Sequence, residues 1–283
     1  MKIAIIGADG QLGSDLLKVI PQKDQIPLTI KEINICDFDA ASRVLLKNKP
    51  DLIINTAGYH RVDDCEDNDL EACKVNAHGA KNLSIISNKI NSALVHISTD
   101  YVFSGEKGTP YNESDAPDPK TAYGISKLAG EQFIKYICKK YYIIRTSGLY
   151  GESGCMGKGG GNFVENMMAK AKTGEKMKVV SDEIISPTYT KDLADKIYEL
   201  IGKNIYGLYH ITNEGQCSWF EFADSIFKLI KKEAAIEKIS AGEYITKAKR
   251  PKYSVLENSR LEKAGLSPMR NWREALRAYL TAK

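Results

Sequence analysis

The first thirteen residues constrain the fold of this chain more than any other stretch. Residues 1–6 form an apolar run of the strand type that leads directly into Gly7, Gly10 and Gly13, and an amphipathic helical pattern follows. Glycine at this spacing lets the backbone turn sharply, approach a pyrophosphate closely and pack the helix on the strand. The first N–H groups of the helix then face the phosphates. The stretch predicts a strand–helix unit with a dinucleotide site, and a tight structural turn is the alternative.

The remainder of the chain alternates between strand and helix signals. Strands are predicted near 27–30, 51–58, 93–97, 141–146 and 207–212, and helices near 68–90, 122–138 and 190–202. This alternation is typical of an α/β fold with a Rossmann-like, doubly wound parallel sheet. We expect a Rossmann domain built from residues 1–147 plus 177–213. A smaller C-terminal α/β lobe, residues 148–176 plus 214–283, is expected to bind the substrate.

Composition and charge exclude several classes of partner. The 283 residues carry a formal net charge of only +4, and basic residues are interleaved with acidic ones, so no nucleic-acid-binding surface is expected. No apolar run approaches the roughly 20 residues that span a bilayer, and the N-terminus lacks the pattern of a signal peptide. The six cysteines show no metal-binding spacing, which favours reduced thiols. We therefore expect a cytoplasmic protein with no metal-binding residues of its own and no membrane or nucleic-acid partner, and a divalent metal at a dimer contact stays open.

Tyr123 and Lys127 are the most informative pair of side chains. Four residues apart on one predicted helix, they project from the same face. Tyrosine has an ordinary pKa of about 10, and a neighbouring ammonium lowers that pKa, which makes proton exchange with a substrate oxygen feasible. Ser98 and Thr99 follow the predicted fourth strand and could bond the same oxygen. The same spacing also occurs on ordinary helix surfaces, so the meaning of the pair depends on its context.

The glycine spacing and the Tyr123–Lys127 pair together resemble the extended short-chain dehydrogenase/reductase superfamily. More narrowly, the chain resembles the dTDP-4-dehydrorhamnose reductases. The matching segments are 54–66, 96–105, 122–131, 143–151, 186–195, 207–215 and 250–261. They cover the chain nearly end to end and keep the order of the family.

The resemblance implies an NAD(P)H-dependent reductase of a nucleotide-linked 4-keto sugar. The most specific expectation is the conversion of dTDP-4-dehydro-L-rhamnose to dTDP-L-rhamnose. In this interpretation Tyr123 donates a proton to the carbonyl oxygen, and Thr99 hydrogen-bonds the same oxygen. Lys127 binds the nicotinamide ribose and lowers the pKa of Tyr123. A homodimer is compatible with the sequence.

The cofactor is expected to be NADP or NAD in its reduced form. By resemblance, its binding residues are Gly7, Gly10, Gln11, Leu12, Gly13, Asp37, Ala57, Gly58, Tyr123 and Lys127. Asp37 resembles the acid that lies near the adenine, but it is also a good helix N-cap. An acid after the second strand favours NAD and a basic residue favours NADP. The chain has Lys31 and Glu32 there, so the preference stays open.

Substrate contacts are expected from the loop after the fourth strand and from the C-terminal lobe. The predicted residues are Asp100, Tyr101, Lys158, Asn162 and Arg250. The glycine-rich stretch 148–163 predicts a mobile lid, with a surface connection as the alternative, and Lys158 in it could reach a diphosphate. The planar fork of Arg250 also suits a diphosphate, and a surface ion pair is the alternative.

One departure from the family leaves the particular sugar open. The reductases usually carry a Trp that packs on the sugar at the position of Gly148, so Leu149, Tyr150 or the lid would have to supply that contact. An epimerase or dehydratase acting on a nucleotide sugar is one alternative. Dehydratases typically need an added acid/base pair beside Thr99, whereas this chain has Asp100 and Tyr101, as the reductases do. A non-catalytic cofactor-binding subunit, like the β subunit of methionine adenosyltransferase, is the other alternative.

Overall fold

The computed structural model describes residues 1–154, 161–174 and 176–283. Lys158 and the centre of the predicted lid, 155–160, lie outside the described residues. The N-terminal elements are β1 (Ile3–Ile6), α1 (Gln11–Val19), β2 (Gln25–Leu28), α2 (Phe38–Asn48), β3 (Leu52–Asn55), α3 (Val62–Asp67), α4 (Asp69–Cys73), a π-helical segment (Lys74–His78), α5 (Gly79–Lys89), β4 (Ala93–Thr99), α6 (Ala122–Ile137) and β5 (Tyr141–Thr146). The elements that follow are β6 (Leu149–Tyr150), α7 (Phe163–Lys170), β7 (Met177–Val180), β8 (Ile184–Ile185), β9 (Thr188–Tyr189), α8 (Thr190–Ile201), β10 (Gly207–His210), β11 (Cys217–Ser218), α9 (Trp219–Leu229), β12 (Ile236–Ile239), α10 (Ser259–Lys263) and α11 (Trp272–Thr281).

The main sheet has six strands in the order β10-β5-β4-β3-β1-β2, and each neighbouring pair is parallel. Side chains of β1 alternate between two apolar layers, because strands of a parallel sheet are covered on both faces. Ile3 and Ile5 face α1 and α8, while Ala4 and Ile6 face α2, α5 and α6. The predicted doubly wound parallel sheet is confirmed.

Several predicted bounds differ from the structure. The second strand begins and ends earlier than 27–30, because a turn held by Glu32 and Thr29 follows Leu28. The third strand ends at Asn55, well before the end of the predicted 51–58. The predicted helix 68–90 is not one regular α-helix, since the Lys74–His78 turn is π-helical. Such turns are frequent at functional sites.

The second lobe packs around its own aromatic cluster, which includes Tyr150, Phe222, Trp272 and Tyr279. Its short strands pair as β6 with β9, β8 with β11 and β7 with β12. β7 opens the second Rossmann segment of the predicted division, yet it pairs with β12 of the C-terminal part and packs in this cluster. α8 and β10, by contrast, pack on or join the main sheet, as the division predicts for them. The division itself stays a prediction.

Some features are absent from the part of the chain that the structure describes. None of its helices combines the length and the apolar character needed to cross a bilayer. It also contains no cluster of three or more histidine, cysteine or acidic side chains suited to a metal ion. Its cysteines, at positions 36, 65, 73, 138 and 217, are free thiols.

Candidate active site

The turn after β1 forms a cradle that requires glycine. Gly7 has a left-handed φ of +80°, and its N–H donates to the last carbonyl of β2 at 2.8 Å. A Cβ on Gly13 would lie 2.1 Å from the Gly7 carbonyl oxygen, so α1 packs closer to the turn than another residue would allow. Gly10 caps α1 without a side-chain hydrogen bond, which leaves the first turn open toward an anion. The cradle fits a dinucleotide pyrophosphate, with Gln11 and Leu12 in that first turn.

β3 ends beside this cradle. β2 and β3 lie on opposite sides of β1, and ligands of open α/β sheets bind in the crevice where the strand order reverses in this way. A Cβ on Gly58 would lie 3.3 Å from Asn76 Oδ1 and 3.9 Å from Lys127 Nζ. Asn76, in the π-helical segment, donates to the Tyr59 carbonyl and to a serine hydroxyl of α6, both at 2.9 Å, and accepts from the Tyr59 N–H at 2.8 Å. Its amide therefore holds the backbone of Tyr59, the residue after Gly58, against α6.

The residues around the end of β2 already have local partners. Asp37 is the N-cap of α2 and accepts from the Ala40 N–H at 2.9 Å, so the capping role is observed and the adenine contact stays a prediction. Glu32 accepts from the Thr29 N–H at 2.7 Å and from its hydroxyl at 2.5 Å. Both hydrogen bonds lower the pKa of Glu32. One oxygen of the Glu32 carboxylate, Oε2, is therefore engaged in its own turn, and Lys31 is the neighbouring cation.

The end of β4 and the first turn of α6 bring Thr99 and Tyr123 together. Thr121 caps α6 by accepting from the Gly124 N–H at 3.0 Å, and a Cβ on Gly124 would lie only 2.2 Å from the Tyr101 carbonyl oxygen. The helix therefore starts in direct contact with the loop that follows β4. The rings of Tyr101 and Tyr123 meet edge to face with centroids 5.6 Å apart. Burial raises the pKa of Tyr123, whereas hydrogen bonding to Thr99 lowers it.

Lys127 is directed toward β4. Its Nζ donates to the Ile97 carbonyl at 2.5 Å and lies 3.3 Å from His96 Nε2. Burial lowers the pKa of Lys127 to about 8, and the charge of Glu131 acts in the opposite direction. We expected Lys127 to lower the pKa of Tyr123; in this geometry burial dominates instead, and the pKa of the phenol is raised.

Asp100 holds Thr99 from inside the protein. The Thr99 hydroxyl donates to Asp100 Oδ1 at 2.9 Å, and the Ser147 hydroxyl donates to Oδ2 at 2.8 Å. The Tyr101 N–H donates to Thr99 Oγ1 at 3.2 Å. Asp100 is 3% exposed, and burial raises its pKa. The carboxylate therefore orients Thr99, and its predicted contact with the sugar stays a prediction that this geometry does not favour.

Arg250 bridges the two lobes. Its Nη2 forms an ion pair with Asp63 of α3 at 2.7 Å, while its Nε is buried without a partner. The Tyr101 hydroxyl and the Glu183 carboxylate both act on its charge. Glu183 is 7% exposed, burial raises its pKa, and hydrogen bonding to Trp219 opposes that rise. These side chains form a polar cluster between α3 and the C-terminal part of the chain.

Sequence reasoning missed Asp63, Glu183 and Trp219 in this cluster. Asp63 lies in an acid-rich run that resembles a solvated surface, and its pairing with Arg250 depends on chain folding over 187 residues. Glu183 follows β7 without a motif of its own. A charged side chain between the two apolar strands β7 and β8 is the signal that could have found it.

Asn162 is engaged by the protein. It caps α7 in a capping box with Glu165. Its Nδ2 lies 2.9 Å from the Gly151 carbonyl, 3.3 Å from the Tyr279 hydroxyl and 3.4 Å from Gln11 Oε1. The side chain is therefore placed beside the first turn of α1, and its predicted role as a substrate ligand stays a prediction.

The backbone at Gly148 accounts for the missing Trp. Gly148 has a φ of +56°, and a Cβ there would lie 3.1 Å from Pro187 Cα. A bulky side chain at this position would need another backbone path. Tyr150 is fully buried and packs against Tyr189 and Tyr279, so it does not supply the missing sugar contact.

Comparison with known proteins gives one consistent result. A family model described as the RmlD substrate binding domain matches residues 1–283. The spore coat polysaccharide biosynthesis protein SpsK of Bacillus subtilis is 44% identical over 281 residues, which cover 99% of this chain and 96% of that protein. A dTDP-4-dehydrorhamnose reductase of Aggregatibacter actinomycetemcomitans is 36% identical over 98% of this chain and 99% of its own length. The crystal structure of dTDP-4-dehydrorhamnose reductase from Bacillus anthracis in complex with NADP superposes with a TM-score of 0.96 at 39% identity, and all of both chains is covered.

Proposed function

The chain belongs to the dTDP-4-dehydrorhamnose reductase family, whose members are NAD(P)-dependent oxidoreductases, and on this premise we propose that it reduces a nucleotide-linked 4-keto sugar with NADPH. The most specific substrate we propose is dTDP-4-dehydro-L-rhamnose, with dTDP-L-rhamnose as the product. The observation that supports this best is the contact of Thr99 with Tyr123 at the start of α6, with Lys127 one turn further along the helix and beside Gly58. Reduction of a ketone needs a proton donor at that place.

Each of the three side chains has a distinct proposed role. A bound NAD(P)H supplies the hydride. Tyr123 donates its phenolic proton to the sugar carbonyl oxygen as negative charge develops there. Thr99 hydrogen-bonds the phenol, and its hydroxyl proton would turn from Asp100 to the sugar carbonyl oxygen when the substrate is bound. Lys127, next to Gly58, binds the nicotinamide ribose hydroxyls.

We propose NADPH as the preferred donor. An acid that binds the adenine ribose uses its carboxylate oxygens, but Oε2 of Glu32 accepts two hydrogen bonds from Thr29, which leaves only Oε1 for that contact. Lys31, beside it, is suited to a 2′-phosphate. The NADP-bound relative supports the same preference.

For the substrate, we propose that Arg250 binds the diphosphate. Its buried Nε has no protein partner, so it can serve as a donor to an anionic oxygen. Glu183 and Tyr101 lie near Arg250 and would face the sugar. Because Gly148 replaces the usual Trp, a related 4-keto sugar is the second candidate substrate.

The test is oxidation of NADPH, followed by absorbance, with a panel of nucleotide-linked 4-keto sugars. We expect turnover with the dTDP-linked 4-keto-6-deoxy sugars and a product reduced at C4, identified by NMR. Tyr123→Phe is the matched control, since it removes one oxygen from the site. Cofactor binding without oxidation of NADPH by any sugar in the panel would contradict the proposal and favour a regulatory subunit.

A further inference from the structure

A buried pair of side chains lies under Lys127, and the proposed chemistry does not use it. His96 of β4 and Asn55 of β3 are register partners, and each is 1% exposed. Asn55 Nδ2 lies 3.1 Å from His96 Nδ1, and His96 Nε2 lies 3.3 Å from Lys127 Nζ. The three side chains form a continuous line from the sheet to the amine of the candidate active site.

The backbone fixes which ring nitrogen of His96 carries the proton. The Ala57 N–H donates to Asn55 Oδ1 at 3.2 Å, so the Asn55 amide presents its NH2 group to the imidazole. His96 Nδ1 must therefore accept, and the proton of the neutral ring resides on Nε2. Burial lowers the pKa of His96 well below its ordinary value, and the charge of Lys127 lowers it further, so the ring stays neutral.

An Nε2–H group aimed at Lys127 favours the neutral amine over the ammonium. An ammonium has three donors and no acceptor, whereas an amine has a lone pair that can accept from the imidazole. Burial already lowers the pKa of Lys127 to about 8. A change in whether His96 Nε2 donates or accepts therefore affects Lys127 in the pH range where its amine titrates.

The other charged and titratable groups around Lys127 do not repeat this contact. Glu131 acts on the charge of Lys127, Asp100 and Cys65 act on Tyr123, and Arg145 of β5 and Tyr59 after β3 belong to the neighbouring segments. Glu131 favours the ammonium, but Arg145 binds its carboxylate at 2.8 and 2.7 Å and compensates its charge. Among the described residues, His96 is the titratable side chain within hydrogen-bonding distance of Nζ.

We propose that His96, oriented by Asn55, is a positioning residue that sets the protonation state of Lys127. The inference deepens the proposed function and rests on it for its catalytic meaning. A Lys127 that exchanges a proton near neutral pH can respond to the change in charge of Tyr123 during turnover. His96 itself stays neutral and transfers no proton.

The experiment is NMR of the full chain with 15N-labelled histidine and 13C-labelled lysine, which requires no turnover. The chain has four histidines, and His210 is an internal control because its Nδ1 faces the Tyr111 carbonyl at 3.0 Å. We expect His210 to carry its proton on Nδ1 and His96 on Nε2. Asn55→Asp should move the His96 proton to Nδ1, because a carboxylate only accepts. Nε2 then accepts from the ammonium and the new carboxylate adds a negative charge, and both changes should raise the titration midpoint of Lys127, together by about one pH unit or more.

Two results would overturn the proposal. One is a wild-type His96 that carries its proton on Nδ1. The other is an Asn55→Asp variant in which the His96 proton moves to Nδ1 but the titration midpoint of Lys127 is unchanged. His96 would then have a structural role only. His96→Gln adds no charge and isolates the contact: its amide oxygen can turn to the ammonium, so the midpoint should rise in the same direction, and this variant also carries the test if Asn55→Asp does not fold. If the proposed function is wrong, the assay of NADPH oxidation will show no turnover, while the titration midpoints of Lys127 measured by NMR will be the same.

Discussion

At the residue scale, burial controls the candidate active site more than local charge does. Lys127 and Tyr123 are both removed from water, and burial shifts each pKa toward the neutral form. The spacing of these two residues was enough to predict that they share a helix face. The sequence could not predict that Lys127 turns toward Ile97 and His96, because that contact depends on how β4 lies under α6.

A first prediction concerns the cost of burying Lys127. Lys127 has a pKa of about 8 in the folded protein, against an ordinary value of 10.5. The difference corresponds to a cost of about 3 kcal/mol for folding with Lys127 in its ammonium form. Lys127→Met should therefore raise the free energy of unfolding at pH 7 by about 2 kcal/mol, while reductase activity is lost. Urea denaturation followed by circular dichroism measures the change.

The pH dependence of this effect has a definite sign. Below pH 8 both the folded and the unfolded wild type hold the Lys127 proton, and the cost is fully present. Between about pH 8 and 10.5 the unfolded chain keeps the Lys127 proton more tightly than the folded chain does. The free energy of unfolding of the wild type therefore rises with pH and approaches that of Lys127→Met. A stability difference that grows over this range would contradict the assignment.

At the element scale, the cofactor cradle depends on the close packing of α1 on the turn after β1. The glycine spacing predicted this unit with the correct order of strand, turn and helix. Asp37 was predicted as an N-cap from its position before α2, and that alternative is observed. The π-helical turn around Asn76 was not predictable, because its geometry depends on partners at Tyr59 and in α6.

Gly13→Ala tests this packing. The added Cβ would lie 2.1 Å from the Gly7 carbonyl oxygen, so either α1 or the turn must move. We expect a loss of about 2 kcal/mol or more in stability and a weaker affinity for NADPH. Gly242→Ala is the control, since the nearest atom to its Cβ is a serine oxygen at 3.8 Å. Equal stability and affinity in the two variants would show that the cradle tolerates a larger residue.

At the scale of the whole molecule, the two lobes are joined by contacts between segments far apart in the chain. Asp63 accepts from the Ala248 N–H at 3.1 Å and pairs with Arg250, and Lys247 pairs with Asp67. The sequence predicted Arg250 near the substrate through the family resemblance. It did not predict the partner of Arg250 or the pairing of β7 with β12, because such non-local contacts leave no periodic signal in short segments.

The contact between Asp63 and Arg250 gives a third prediction. The pair is partly exposed, so Asp63→Asn should change stability by less than about 1 kcal/mol. Because the amide holds the guanidinium less firmly, KM for the nucleotide sugar should rise about fivefold with kcat nearly constant, and Arg250→Lys should raise KM more. Steady-state kinetics measures both. Lys176→Ala, which removes an exposed ion pair with Glu237, is the control and should leave KM unchanged.

The central claim is that the phenol of Tyr123 supplies the proton for ketone reduction. The most direct test is a single-turnover measurement of NADPH oxidation by Tyr123→Phe, with cofactor affinity measured separately by fluorescence. The account predicts a Kd for NADPH close to that of the wild type and a rate constant lower by about 100-fold or more. A rate constant near that of the wild type, at full occupancy of cofactor and sugar, would contradict it.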